Sequence, residues 1–492
     1  MHRALHFLFA LSIAAALAVQ PAGDARAAAL LVTGTGDYRM PVRTSSEEAR
    51  RYFQQGVVLA WAFNFAEAVR SFREAARLDP RCALCHWGIA YALGPSINHD
   101  MTAREAAAAW RAVRGARELA VRADPYEREL ILALAKRYAR DLRAGRSARD
   151  AAYARAMRKL AEEHPDNADV LTLAAEAEMD LHPRDYWEAG GAARTWTPQI
   201  IAWLERALTL APRHPGANHY LVHALEDSRE PQRALAAAQR LESLTPGMGH
   251  LVHLSAHLYM RLGRYREAID ASRREIEADR AYLRAARAAP AYIEGYVRHN
   301  VYFLWAAAFM DGAKEIAREA AAPLAEAAIG RHDETAQHYL ALPLYNAVRF
   351  GEWAALREAP RPPRSAPYTL GVWHYARGVA YLRLGDQAAA ARELHALDAI
   401  ARHANPRDDR SARYGEVASL GIAGALLRAE IASAQGDKAS AVAHAEQAVT
   451  SESALERGEP PIYVFAAREF LARLAASAAK VYLDQKDSVP PR

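Results

Sequence analysis

The chain has 492 residues, 51% of them hydrophobic, with 63 Lys and Arg against 58 Asp and Glu. The excess of +5 is spread over arginine-rich solvated faces and gathers into no patch, which argues against a nucleic-acid partner. Alanine is abundant, β-branched residues are sparse and no strand-like alternation of useful length occurs. Helix is therefore the preferred state nearly everywhere, in one elongated array without a composition break.

In chain order, Met1-His2-Arg3 supplies a short positive start, Ala4 to Val19 an apolar stretch and Ala25-Arg26-Ala27 a small-x-small site. Residues 1–27 read as a secretory signal, so the mature protein is expected in the periplasm or outside the cell. No later apolar run is long enough to span a bilayer. Helical repeats are predicted over 45–180, where Gly56, Ala68, Phe72, Ala75 and Pro80 alternate small contacts, an aromatic filler and a terminating proline. Gly88 follows Gly56 with Trp87 and Tyr91 around it and opens a second unit; the units from Arg104 to His164 are degenerate. An excursion is predicted at 181–198, where His182-Pro183, Gly190-Gly191 and Thr195-Trp196-Thr197-Pro198 punctuate the period. Regular repeats resume over 199–358, with the run Leu258 to Ala268 the least ambiguous. Residues 359–367 form a Pro-rich linker, 368–482 carry further repeats and a capping helix, and 483–492 a solvated tail.

These patterns resemble the tetratricopeptide-repeat superfamily. The runs Cys82 to Asn98, His214 to Glu226, Gly249 to Tyr259 and His299 to Trp305 further resemble exported bacterial members of it. The resemblance implies an all-α fold, a helix-turn-helix solenoid coiled as a right-handed superhelix with partly degenerate repeats. In such arrays the first helix of each unit lines a concave groove through its second, fifth and ninth positions, which here are His250, His253 and His257.

A 34-residue register aligns Pro212 with Pro246, His219 with His253 and His223 with His257. At about 100° per residue, His219, His223 and Glu226 share one arc of a helix and His250, His253 and His257 share another. The following unit adds His299. His-x-x-x-His on a helix is a spacing at which two imidazoles share a metal ion, and neutral imidazole suits zinc, copper or nickel. The metal-site candidates are His219, His223, Glu226, His250, His253, His257 and His299, with Glu226 a ligand, a partner that fixes a ring's tautomer, or a base. The competing reading is that groove histidines hydrogen-bond a protein partner or each other.

Cys82-x-x-Cys85-His86 matches the attachment sequence for c-type haem. The repeat register also packs Trp87 and Gly88 into a helix pair, which leaves little room for a porphyrin. A disulfide, soft-metal ligation or two free thiols are the other states of Cys82 and Cys85. No serine-centred nucleophile, phosphate-binding glycine loop or dinucleotide fingerprint stands out. The expectation is an exported scaffold that binds a protein or peptide partner in its concave groove, with a transition metal held by the histidines. The alternative is a metal-dependent hydrolase or oxidase with Glu226 as its base.

Overall fold

The computed structural model describes residues 29–140, 145–188, 190–285, 292–331, 333–403, 416–454 and 467–476. The expected secretory segment and the C-terminal tail lie outside the described residues. Among those described, the fold is all-α, and extended pairing is limited to two isolated bridges, Ser96 with His99 and Trp187 with Ala193. No described helix is long and apolar enough to cross a membrane. The chain divides into two compact units, one running to Asn300 and the other beginning at Val301, inside the segment 199–358.

In the first unit the helices are α1 (Glu47–Trp61), α2 (Phe65–Leu78), α3 (Ala83–Ala92), α4 (Ala103–Leu119), α5 (Pro125–Leu134), α6 (Arg146–Glu163), α7 (Ala168–Met179), α8 (Thr197–Leu210), α9 (Pro215–Leu225), α10 (Leu235–Leu244), α11 (Gly249–Arg261) and α12 (Tyr265–Ala285). Each packs on its sequence neighbours, α1 on α2, α7 on α8, α9 on α10 and α11 on α12, as repeat hairpins do. Their starts follow the capping rules. Ser46, Asp124, Asn167 and His214 each accept a backbone N–H with the side chain at the N-cap, and Pro125 and Pro215 take the first helical position, where no donor is lost.

The small residues expected between helices serve that purpose. Phe72 of α2 is fully buried between α1 and α3, and a Cβ on Gly56 or Gly88 would come within 2.8 or 2.4 Å of its ring. Only glycine lets both flanking helices approach this filler. The first unit also departs from a purely sequential stack, because α1 touches α9: a Cβ on Gly216 would meet the Trp61 indole at 2.8 Å.

Residues 29–44 carry no helix and run along the hairpins as a strap. Gln54 accepts the Met40 N–H and donates to the Met40 carbonyl, both at 2.8 Å. Farther along the array, Tyr38 donates to Asp169, and the Gly247 N–H donates to the Gly34 carbonyl at 3.0 Å. Residues 181–188 and 190–196 are non-helical, and α8 begins at Thr197.

Helix α13 (Arg298–Asp311) straddles the division. The second unit continues with α14 (Lys314–Ala327), α15 (Glu334–Arg349), α16 (Trp353–Arg357), α17 (Pro367–Arg383), α18 (Gln387–His403), α19 (Glu416–Ala434) and α20 (Lys438–Ala454). Of the predicted linker 359–367, residues 359–366 are non-helical, and Pro367 instead opens α17 as its first residue. Residues 467–476 are helical within the expected capping segment.

Candidate metal centre

The histidines come from three helices of the first unit. Helix α9 carries His219 and His223, α11 carries His250, His253 and His257, and the first turn of α13 carries His299. The four-residue spacing stacks the side chains, bringing the ring centroids of His219 and His223 to 4.8 Å and those of His253 and His257 to 4.4 Å. All seven residues expected at a metal site lie in one region.

Their grouping differs from the register alignment. Instead of one set combining His219, His223, His253 and His257, the rings form two triads, His219, His223 and His250, and His253, His257 and His299. Within each, one ligand atom per residue lies within 4.8 Å of the others. His250 Nε2 sits 3.1 Å from His219 Nε2, so this ring reaches back to the preceding hairpin. His253 Nε2 stands 2.7 Å from His257 Nε2 and 3.0 Å from His299 Nε2, facing the following one. Three histidine positions on one arc of α11 are thus split between its two neighbours, the seven-residue step from 250 to 257 setting its ends about 10 Å apart along the axis.

Glu226, at the C-cap of α9, joins the two triads. Its Oε1 accepts from His223 Nδ1 at 2.8 Å and its Oε2 from His257 Nδ1 at 3.0 Å. Burial alone would raise the Glu226 carboxyl, but His223 and His257 outweigh it and hold the group well below the usual carboxylate range. An anion there requires both rings to carry the proton on Nδ1, which leaves the Nε2 lone pairs facing the cluster. His223 Nε2 is buried and has no hydrogen-bond partner. Glu275 of α12 stands 2.7 Å from His253 Nδ1, where burial and then Asp279 push its carboxyl up. Both carboxyl groups therefore face ring Nδ1 atoms, and Glu226 orients the rings, occupied as it is on both oxygens.

Five of the six imidazoles are held toward the neutral form. Burial, then neighbouring rings, depresses His219, His250 and His253 well below the ordinary value; burial lowers His223; and burial followed by His257 brings His299 to about 3. Neutral imidazole is the ligand form for a transition metal.

The groove expectation needs correction. His219 and His253 are 0% exposed and His257 3%; these three, His223 and His250 are interior, and His299 is half-buried. The cover comes from elements that no repeat pattern specifies. Phe63, in the turn between α1 and α2, places its ring 4.5 Å from His219, 6.0 Å from His223 and 5.0 Å from His250, nearly parallel to the last two. Tyr296 lies 5.2 Å from His250. From the excursion, Arg184 reaches Glu226 Oε1 at 3.3 Å and also donates to Asn98 Oδ1. The excursion thus contributes Arg184 to the surroundings of Glu226.

The haem sequence resolves differently. Cys82 and Cys85 are joined in a disulfide at the start of α3, with Cα atoms 5.3 Å apart. Neither thiol is left for a thioether, and the half-buried His86 follows on the same helix.

Phe63, Arg184 and Glu275 escaped the sequence reading. One available signal was an acid at position 275 among the small and apolar Ala271, Ser272 and Ile276 of the same helix face. Phe63 was legible too, since it occupies the turn position where Gly263 stands in the α11–α12 hairpin. Nothing in the sequence marked Arg184.

Residues 250–282, which include His250, His253, His257 and Glu275, match the tetratricopeptide repeat family. No curated protein matches the chain. Among solved structures it is similar to a human IFIT1 dimer with m7Gppp-AAAA, at 13% identity and TM-score 0.35, over 83% of this chain and 91% of that one. It is also similar to yeast Tom70, at 11% identity and TM-score 0.31, over 91% of each chain. The APC/C hetero-tetramer Cut9–Hcn1 gives 15% identity and TM-score 0.30, over 87% of this chain and 76% of that one.

Proposed function

Given a scaffold of tetratricopeptide-type helical hairpins, we propose that this one serves to hold a transition metal in its histidine-lined interior. The observation that carries the reading is the double engagement of Glu226. By taking the Nδ1 protons of His223 and His257, it turns acceptor nitrogens from two helices toward a buried space that holds further imidazoles. The Nε2 atoms of His219 and His250, 3.1 Å apart, and of His253 and His257, 2.7 Å apart, stand at hydrogen-bonding distance with one ring of each pair donating, and a cation can take the place of that shared proton. Ligands about 2.0–2.1 Å from a tetrahedral ion lie about 3.3 Å apart, so modest ring rotation accommodates a metal.

Burial moves the histidines from candidate contacts for a groove-bound peptide to interior ligands. Glu226, saturated by two ring protons and Arg184, holds rings in place and is not poised as the base of a hydrolase or oxidase. The disulfide supports an oxidising compartment, in keeping with the expected export.

Elemental analysis of tag-free protein tests the reading. Near-stoichiometric zinc, copper or nickel is expected, and it should vanish in the His223→Ala/His257→Ala double variant. Wild-type protein that stays metal-free after incubation with each of these ions overturns it.

A further inference from the structure

Resting on that reading, we infer that the cluster is a two-ion centre built for copper in its cuprous state, one ion per triad, with Glu226 as the shared brace between them.

The number of ions follows from geometry. Each triad presents three imidazoles whose ligand atoms lie within 4.8 Å of one another, enough for one ion each. The ring pairs across the divide are more distant, with centroids 6.3 Å apart for His223 and His257 and 6.4 Å for His250 and His253. A single ion drawing on both pairs would need His223 and His257 to swing their Nδ1 atoms off the one carboxylate that holds both. Two ions need no such move: His223 serves one, His257 the other, and Glu226 steadies both rings from behind.

The identity of the ion follows from charge and coordination number. All six donors are imidazoles, which bring no negative charge to a metal, and the carboxyl groups that touch them, Glu226 and Glu275, sit on Nδ1. Two divalent ions would bring four positive charges into an interior whose rings touch two carboxyl groups, Glu226 and Glu275. Buried charge without compensation is strongly unfavourable, and two monovalent ions halve it. The Phe63 ring lies over the first triad, parallel within 8° to His223 and 25° to His250. It blocks the approach of a fourth donor from that side. Zinc in a protein takes four ligands, whereas a closed-shell cuprous ion is content with three nitrogens.

The test is an anaerobic titration of metal-free, tag-free full-length protein with Cu(I) against a chromophoric cuprous chelator, with Zn(II) titrated in parallel. Two equivalents of Cu(I) are expected, one in His223→Ala and one in His299→Ala. Glu226→Gln should keep both and weaken each about 10–100-fold. X-ray absorption of the loaded wild type should show three nitrogen neighbours per copper, which guards against a variant that misfolds. One equivalent in the wild type, abolished by either single substitution, overturns the two-ion arrangement while leaving the metal scaffold standing. Two equivalents of Zn(II) with weaker Cu(I), or a four-coordinate copper shell, overturns the cuprous assignment. Binding of neither ion overturns this inference and the proposed function together.

Discussion

Five hairpin turns of this chain and a sixth use the same backbone device with opposite chemistry. At Gly263, Gly312, Gly351, Gly385 and Gly436 the residue after the first helix adopts a left-handed φ between 69° and 86°, and the next N–H reaches back to a carbonyl of the last turn, as from Arg264 to Tyr259 at 2.8 Å. The α1–α2 turn makes the equivalent bond, from Asn64 to Leu59 at 2.9 Å, yet its left-handed residue is Phe63, with φ 55°. A side chain there costs roughly 1–2 kcal/mol. The space around Gly263 and Gly312 is open, whereas the Phe63 ring is buried against three imidazoles. Strain is thus accepted at the one turn that covers the candidate metal centre, and packing must offset it.

Truncating that ring should have the largest effect. Phe63→Ala is expected to cost about 3–5 kcal/mol in urea unfolding, since a cavity opens while the left-handed strain remains. Phe63→Gly should be the more stable of the two by about 1 kcal/mol because it alone releases the strain. The opposite ranking would mean that the turn is unstrained and the contrast with Gly263 empty.

A second contrast sets Glu226, held low by its ring donors, against Glu176, buried without a basic group in hydrogen-bond contact. Burial, with Asp180 adding, pushes the Glu176 carboxyl up to about 8, while Tyr91 donates to it. The neutral carboxyl is the folded form. Stability from this group is therefore complete below its unfolded value near 4.5 and is lost as pH rises through about 8. On the order of 3 kcal/mol should disappear between about pH 5 and 8 in the wild type and not in Glu176→Gln. Parallel pH profiles for the two proteins would refute it.

At Gly88, a methyl group would meet the Phe72 ring at 2.4 Å, and Gly88→Ala should destabilise by about 1–3 kcal/mol through overpacking. Gly263→Ala meets nothing, so its cost, about 1–2 kcal/mol by thermal unfolding, should be backbone strain alone. A neutral Gly263→Ala would remove the reference against which Phe63 is judged.

The hairpin architecture was legible because glycine, alanine, aromatic and proline positions each answer a local requirement: Phe72 needs Gly56 and Gly88 whatever else the chain does. The histidine columns were legible for the same reason, since helical spacing fixes which rings share a face. Their partition into triads was not, because it depends on rotation of α11 between two neighbours. Nor was their burial. The register describes an open inner face, and only the contact of α1 with α9, the Phe63 turn and Arg184 from the excursion close it. The first two join residues more than 100 positions apart and Arg184 lies 42 from Glu226, outside any repeat hairpin, where a repeat pattern carries no information.

The strap over residues 29–44 has a consequence for biosynthesis. Its bonds reach Gln54 at once, but Asp169 only 131 residues after Tyr38 and Gly247 later still. A repeat array can zip up hairpin by hairpin as it emerges, yet this segment, among the earliest synthesised, is among the last to find its seat. Until then the edge of the early hairpins it covers stays open to chaperones or proteases, and a nascent chain stalled before Gly247 would present it.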